Sequence, residues 1–191
     1  MAEGASGGAG PMETILGDAR GLADAVEALA EQIARGRRAG VPVLGLVGVR
    51  TRGEPIAERL AMRLAERLGV EVPVGVVDIA LHRDDLGRGR RWPTLKGTDI
   101  PFEVDGAEVV LVDDVLYTGR TIRAALNAIC DLGRPAVVRL AVVVDRGGRE
   151  LPIRADYVGL TLPEGLTGRV KVRVAPIDPA DGVVAEPEAP R

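Results

Sequence analysis

Between Asp18 and Arg38 the apolar residues Leu22, Val26, Leu29 and Ile33 recur three and four apart with charges between them. The segment therefore predicts an amphipathic helix. Val43 to Val49 is instead an unbroken apolar run, VLGLVGV, which reads as a buried strand. Arg50-Thr51-Arg52-Gly53 follows as a loop. Ile56, Leu60, Leu64 and Leu68 then restore helical spacing, with Pro55 near the first turn and Gly69 at the end. A second strand is predicted from Val72 to Leu81, and His82 to Phe102 is charged, Gly- and Pro-containing and without apolar period. The third strand is Glu108 to Val112 and the third helix runs from Arg120 to Leu132, ended by Gly133. Ala136 to Gly147 carries a fourth strand, and shorter extended pieces fall at Tyr157–Val158 and Val170–Val174.

Strands that alternate with helices imply right-handed crossovers and a mostly parallel sheet, so the chain is expected to be α/β. Composition agrees. Hydrophobic residues make up 46% of 191 and aromatics only 2%, which leaves Val, Leu, Ile and Ala to fill a sheet covered by helices. This length suits one domain. Residues 1–14 read as a disordered lead, 15–177 as the domain and 178–191, Pro- and acid-rich, as a flexible tail. A formal charge of −3 argues against a broadly basic nucleic-acid binder, while leaving room for a local basic face. Cys130 is the lone cysteine, so no disulfide framework or thiol metal cluster is expected, and its place in a helical pattern predicts a buried small hydrophobe. The first residues lack a basic n-region and an apolar h-region, and no run approaches the roughly 20 apolar residues of a membrane span. A soluble, cytoplasmic protein with no membrane partner is the expectation.

The chemistry concentrates in EVVLVDDVLYTGRTIRAALNAI, Glu108 to Ile129. Asp113 and Asp114 are expected at the carboxyl end of a buried strand, where parallel sheets open to ligands. Thr118-Gly119-Arg120-Thr121 then leads into a helix, so free backbone N–H groups, two hydroxyls and the positive end of a helix dipole converge within one turn. A ligand with a monophosphate at one end and paired hydroxyls a few ångströms away suits both halves: a ribose 5-phosphate. An isolated Asp-Asp before a turn would be read as a solvated cap.

The run LVDDVLYTGRT resembles the phosphoribosyl-pyrophosphate signature of type I phosphoribosyltransferases, in the form found in the pyrimidine-operon regulator/uracil phosphoribosyltransferase family. LVGVRTRG (Leu46–Gly53), DIALHRDDL (Asp78–Leu86), TDIPF and VDRGGRELPIRADYVG (Val144–Gly159) extend the resemblance from Val43 to about Val174. It implies a parallel sheet flanked by helices and carrying a small hood, and a reaction in which uracil and phosphoribosyl pyrophosphate give UMP and pyrophosphate. It also implies that Asp113, Asp114, Val115, Leu116, Tyr117, Thr118, Gly119, Arg120 and Thr121 bind the phosphoribosyl group and that Thr51 and Arg52 meet pyrophosphate. Arg83, Asp84 and Asp85 match a loop that closes over the substrates. Asp145, Arg146, Tyr157, Val158 and Val170 fall in the hood that holds the base. Mg2+ is implied through substrate oxygens, with no dedicated protein cage and Asp145 as the one candidate side chain, and a homodimer or higher oligomer is implied too. The helix Asp18–Arg38 suits either an oligomer contact or ordinary core packing. His82 stands where the family has tyrosine and reads as loop packing; Trp92 reads as a hinge or interface contact.

The resemblance carries a second activity, binding of an RNA hairpin that attenuates transcription, with the nucleotide pocket as sensor. RNA binding is expected to be weak, because Gly148 and Glu31 stand where histidines are expected and Leu160 where lysine is usual. A receiver-type signalling domain with an acidic pocket is the third class considered. The T-G-R-T turn after the acid pair speaks against it.

Overall fold

The computed structural model describes residues 13–79, 97–163, 165, 166 and 168–187. A five-stranded parallel sheet forms the body, in the order β3 (Val74–Val77), β2 (Leu44–Val49), β4 (Glu108–Leu116), β5 (Val137–Asp145), β6 (Tyr157–Leu160). Helices α1 (Ala19–Gly36) and α2 (Gly53–Leu68) cover one face and α3 (Arg120–Leu132) the other. The sorting follows from strand periodicity: Leu44, Leu46, Val110 and Val112 join the core under α1 and α2, while Val47, Val49, Val109 and Leu111 join the core under α3. Both faces of β2 and β4 are thereby buried, which is why their sequences read as continuous apolar runs.

The helices end as their sequences dictate. Asp18 caps α1 by accepting a hydrogen bond from the Gly21 amide at 3.0 Å. Gly69 closes α2 in the left-handed region, φ 67°. The apolar stripe Leu22, Val26, Leu29 and Ile33 is buried within this single chain, so core packing accounts for it without an oligomer contact.

Three differences from the sequence reading matter for the site. Strand β3 covers only Val74–Val77, shorter than the Val72–Leu81 run, and Leu81 lies outside the described residues. Strand β4 does not stop at Val112 but continues through Leu116, so the acid pair lies inside the strand. The third concerns the ends of the chain. Thr14–Gly17 forms β1, Arg169–Arg173 forms β7 and Gly182–Glu186 forms β8, and these make a separate antiparallel sheet in the order β1-β8-β7. Residues 182–186, assigned to a flexible tail on composition, supply its central strand, with Val183, Val184 and Ala185 buried. Alternate apolar residues in a short strand give little signal when the pairing partners stand some 170 positions away (Thr14 opposite Ala185). Cys130 also departs from expectation: it lies on the exposed side of α3.

Candidate active site

The carboxyl edge of the parallel sheet gathers three loops, and close backbone packing sets their positions. A Cβ built on Gly53 would meet the Val112 carbonyl oxygen at 2.3 Å, and one on Gly48 would meet the backbone of Gly53 and Glu54 at 2.6–2.7 Å. Only glycines let the first turn of α2 press onto the ends of β2 and β4. The loop residues 50–52 are thus held beside the acid pair: Arg50 pairs with Glu54 at 3.5 Å, Thr51 is exposed, and Arg52 turns its Nε and one terminal nitrogen onto the two carboxylate oxygens of Asp178, both at 2.9 Å. The Arg52–Asp178 hydrogen bonds, with the charges of Asp178 and Asp114, hold the guanidinium firmly protonated.

Asp113 is buried, 6% exposed, and Asp114 beside it is partly so. Asp113 Oδ1 accepts from the Asp114 amide and Asp114 Oδ1 from the Val115 amide, both at 2.9 Å. Burial first, and the Asp114 charge second, push Asp113 well above the usual carboxylate range. The two carboxyl groups thus sit in unlike surroundings, Asp113 buried and Asp114 partly exposed, with their oxygens at the ligand-binding edge of the sheet. That combination suits a vicinal diol.

Beyond Leu116 the chain turns through Tyr117, Thr118 and Gly119 into α3. Gly119 sits at φ 90° as the N-cap of α3 and has no side chain to cap it; the Arg120 amide makes a long hydrogen bond to Thr118 Oγ1 at 3.4 Å, and the turn stands at the positive end of the dipole, where anions are favoured. The turn is shaped from behind. Arg149 reaches the carbonyl oxygens of Tyr117 at 2.7 Å, Leu116 at 3.3 Å, Gly147 at 3.1 Å and Ile153 at 2.8 Å, and pairs with Asp145 at 2.6 Å. The Thr118 carbonyl accepts from the amides of Glu150 and Leu151 at 3.0 and 3.2 Å. With the Leu116, Tyr117 and Thr118 carbonyls tied back, the turn from Thr118 to Thr121 brings backbone N–H groups and two hydroxyl residues together at a helix start, the composition of a phosphate cradle. Arg146 stacks on the Tyr117 ring with its guanidinium carbon 4.1 Å from the centroid and donates to the Gly168 carbonyl at 2.6 Å.

The predicted residues are thus gathered unevenly. Thr51, Arg52, Asp113 to Thr121, Asp145 and Arg146 belong to the loops and strand ends of this edge. Tyr157 does not: it is the first residue of β6, buried in the α1-side core against Gly36, with its hydroxyl unpartnered among the described residues. Val158 exchanges backbone hydrogen bonds with the Gln32 side chain, and Val170 is buried in the hood strand β7. Asp145, bound to Arg149 and to the Gly147 amide at 2.9 Å, organises its loop rather than waiting as an open ligand. Arg83, Asp84, Asp85, His82 and Trp92 lie outside the described residues. Among the described residues no three carboxylate, imidazole or thiol groups converge as a metal site, and no helix is long and apolar enough to cross a membrane.

Sequence reasoning missed Arg149 as the organiser of two loops, although its i,i+4 spacing from Asp145 in DRGGRE was visible. It also missed Asp178 and Asp181, which hold Arg52 and Arg59 from the hood. PIDPAD carries only a turn signal, and nothing local points to partners more than 120 positions away.

Residues 13–178 match the family model described as Phosphoribosyl transferase domain, which defines the class. Solved structures agree on the fold: Trypanosoma cruzi hypoxanthine phosphoribosyltransferase superposes with a TM-score of 0.68 at 22% identity, over 92% of this chain and 95% of that one. Another structure of the same enzyme, with its product IMP, gives 0.67 at 21% identity, over 93% and 95%. Closer in sequence are bifunctional PyrR proteins, 54% identical in a Roseiflexus species over 87% of this chain and 91% of the relative, and 56% identical in Deinococcus radiodurans over 76% and 79%. The chain belongs to the bifunctional PyrR family of phosphoribosyltransferases.

Proposed function

We propose that this protein is a uracil phosphoribosyltransferase, converting uracil and phosphoribosyl pyrophosphate to UMP and pyrophosphate in the cytoplasm. The observation that carries the reading is the acid pair of β4 followed, through the Tyr117–Gly119 turn, by the amino terminus of α3. The α3 turn takes the 5-phosphate, and Asp113 and Asp114 take the ribose hydroxyls. As the anomeric bond breaks, positive charge on the ribose ring faces these carboxyl groups, and negative charge on the leaving pyrophosphate faces Arg52 and the amides after β2. A Mg2+ ion carried chiefly by substrate oxygens would neutralise the pyrophosphate. Asp145 and Arg146, at the end of β5, lie toward the base. A homodimer or higher oligomer belongs to the same proposal and is read by sedimentation.

The test is uracil-dependent release of pyrophosphate from phosphoribosyl pyrophosphate and Mg2+, run beside hypoxanthine and orotate. Turnover with hypoxanthine or orotate at the uracil rate refutes the assignment of the base. RNA attenuation is the second activity proposed, in weakened form. Glu31 neutralises Arg35 at 3.4 Å, and Gly148 lies at φ 69° with a Cβ position 2.4 Å from the Tyr117 ring, where a histidine does not fit this loop conformation.

A further inference from the structure

Two arginines of the body are held by two aspartates of the segment joining β7 to β8. Arg59 makes a fork with Asp181, at 2.7 and 3.0 Å, and Arg52 makes one with Asp178. Both carboxylates are fixed from behind: the Val174 amide donates to Asp178 Oδ2 at 3.0 Å, and the Ala175 amide to Asp181 Oδ1 at 2.8 Å. The two forks differ in what they leave free. Arg59 also donates to the Ala175 carbonyl at 3.0 Å and so spends itself on the hood. Arg52 gives Asp178 only the edge formed by Nε and one terminal nitrogen. Its other edge, bearing the second terminal nitrogen, has no partner among the described residues, and the Asp114 charge acts on the same guanidinium. A guanidinium has five N–H groups in one plane, so a fork on one edge leaves a second edge able to take another oxyanion.

We infer that Asp178 is a positioning residue for phosphoryl recognition: it holds Arg52 by one edge so that the opposite edge meets the pyrophosphate oxygens of phosphoribosyl pyrophosphate and of the released pyrophosphate. This rests on the reading of Arg52 as the pyrophosphate contact. A long, exposed arginine would lose much rotamer freedom on capturing an anion, whereas one already clamped loses little. Asp178 also carries the geometry of the hood into the site, because its position is set by the β7–β8 connection. The opposite possibility is that Asp178 competes with the anion for Arg52 and must let go. The two predict opposite signs.

The experiment is calorimetric titration of pyrophosphate, phosphoribosyl pyrophosphate and UMP, with Mg2+, into the full chain and into Asp178→Ala, Asp178→Asn, Asp181→Ala, Arg52→Ala and the Arg52→Ala/Asp178→Ala double variant. Asp178→Ala is expected to weaken both pyrophosphate-bearing ligands on the order of 10–100-fold, with UMP nearly unchanged, which also reports that the variant is folded. Asp178→Asn keeps one acceptor and falls between. Asp181→Ala removes the matched hood contact without touching Arg52 and leaves all three affinities near those of the parent, and Asp178→Ala adds no loss in the Arg52→Ala background. Tighter pyrophosphate binding by Asp178→Ala, equal losses in Asp178→Ala and Asp181→Ala, or unchanged affinity overturns the inference. If Arg52→Ala weakens pyrophosphate while Asp178→Ala does not, only the inference falls; if Arg52→Ala itself leaves pyrophosphate binding intact, the role of Arg52 falls with it.

Discussion

Asp113→Asn should make the protein more stable and less active at once. The side chain is buried at 6% exposure, it accepts a hydrogen bond from the Asp114 amide, and the Asp114 carboxylate is its neighbour. Asparagine keeps the size and the carbonyl oxygen that accepts this bond, and removes the group that must be either charged and desolvated or protonated. Relief of a poorly compensated buried polar group is about 1–3 kcal/mol, and for a chain of this length each kcal/mol moves Tm by about 2–4 °C, giving a rise of about 2–12 °C. The pH dependence gives a second handle. A carboxyl whose pKa is raised on folding contributes stability while both states hold the proton, below roughly pH 4, and loses that contribution as pH rises through the raised value. The parent should therefore fall behind the variant with rising pH, so the difference in Tm is larger at pH 8 than at pH 5. Differential scanning calorimetry at the two pH values measures it, and steady-state assays should show kcat/KM lower by orders of magnitude. A variant that melts below the parent at pH 8, or a difference independent of pH, refutes the argument that Asp113 is held at a cost for its chemistry. The sequence places both aspartates at the end of a strand that stops at Val112, outside the core. The double Asp113→Asn/Asp114→Asn variant is still expected to fold, but because asparagines satisfy a buried strand, not because the site is solvent.

Gly119→Val should unfold or disable the protein through its backbone: φ is 90° and a Cβ would meet Ile153 at 3.3 Å, so a loss of about 2 kcal/mol or more in chemical denaturation is expected, and wild-type stability would contradict it. Asp178 is pushed down to about 2, chiefly by its hydrogen bonds with Arg52; a depressed carboxylate stabilises above roughly pH 4 and loses that contribution as pH falls toward 2, so Asp178→Asn should flatten the acid limb of the stability curve by about 1–2 kcal/mol, allowing for the partly exposed Arg52. Gel shifts with a hairpin from the protein's own pyrimidine-operon leader at physiological salt should show weak binding; submicromolar, UMP-enhanced binding would contradict the reading of Glu31, Gly148 and Leu160.

What the sequence disclosed and what it hid divide along contact distance. Helix α3 runs over the residues its spacing predicted, Arg120–Leu132, and the cradle at its start was legible because strand, acid pair, turn and helix are contiguous. The extent of β4 was not, because Asp113 and Asp114 interrupt the apolar pattern that marks a strand, and only pairing with β5, Asp113 opposite Val142 and Leu116 opposite Asp145, carries it onward. Tyr157 shows the complementary limit. Its motif lies in the matching segment, yet it is paired with Ala141 near the middle of β5, and that register turns it into the core. The hood was hidden most completely, since its central strand β8 pairs with β1 from the opposite end of the chain.

That dependence has a consequence for synthesis. Strand β8 is the centre of its sheet, with β1 and β7 on either side and never in contact as neighbours. While the polypeptide emerges, the parallel sheet can collapse as soon as Tyr157–Leu160 is available, but β1, made first, has nothing to pair with until Gly182–Glu186 has left the ribosome. Asp178 reaches Arg52 only in the same final step. A nascent or prematurely terminated chain would therefore hold a nearly finished body with a loose acceptor for pyrophosphate, and competence for catalysis would arrive with the last strand.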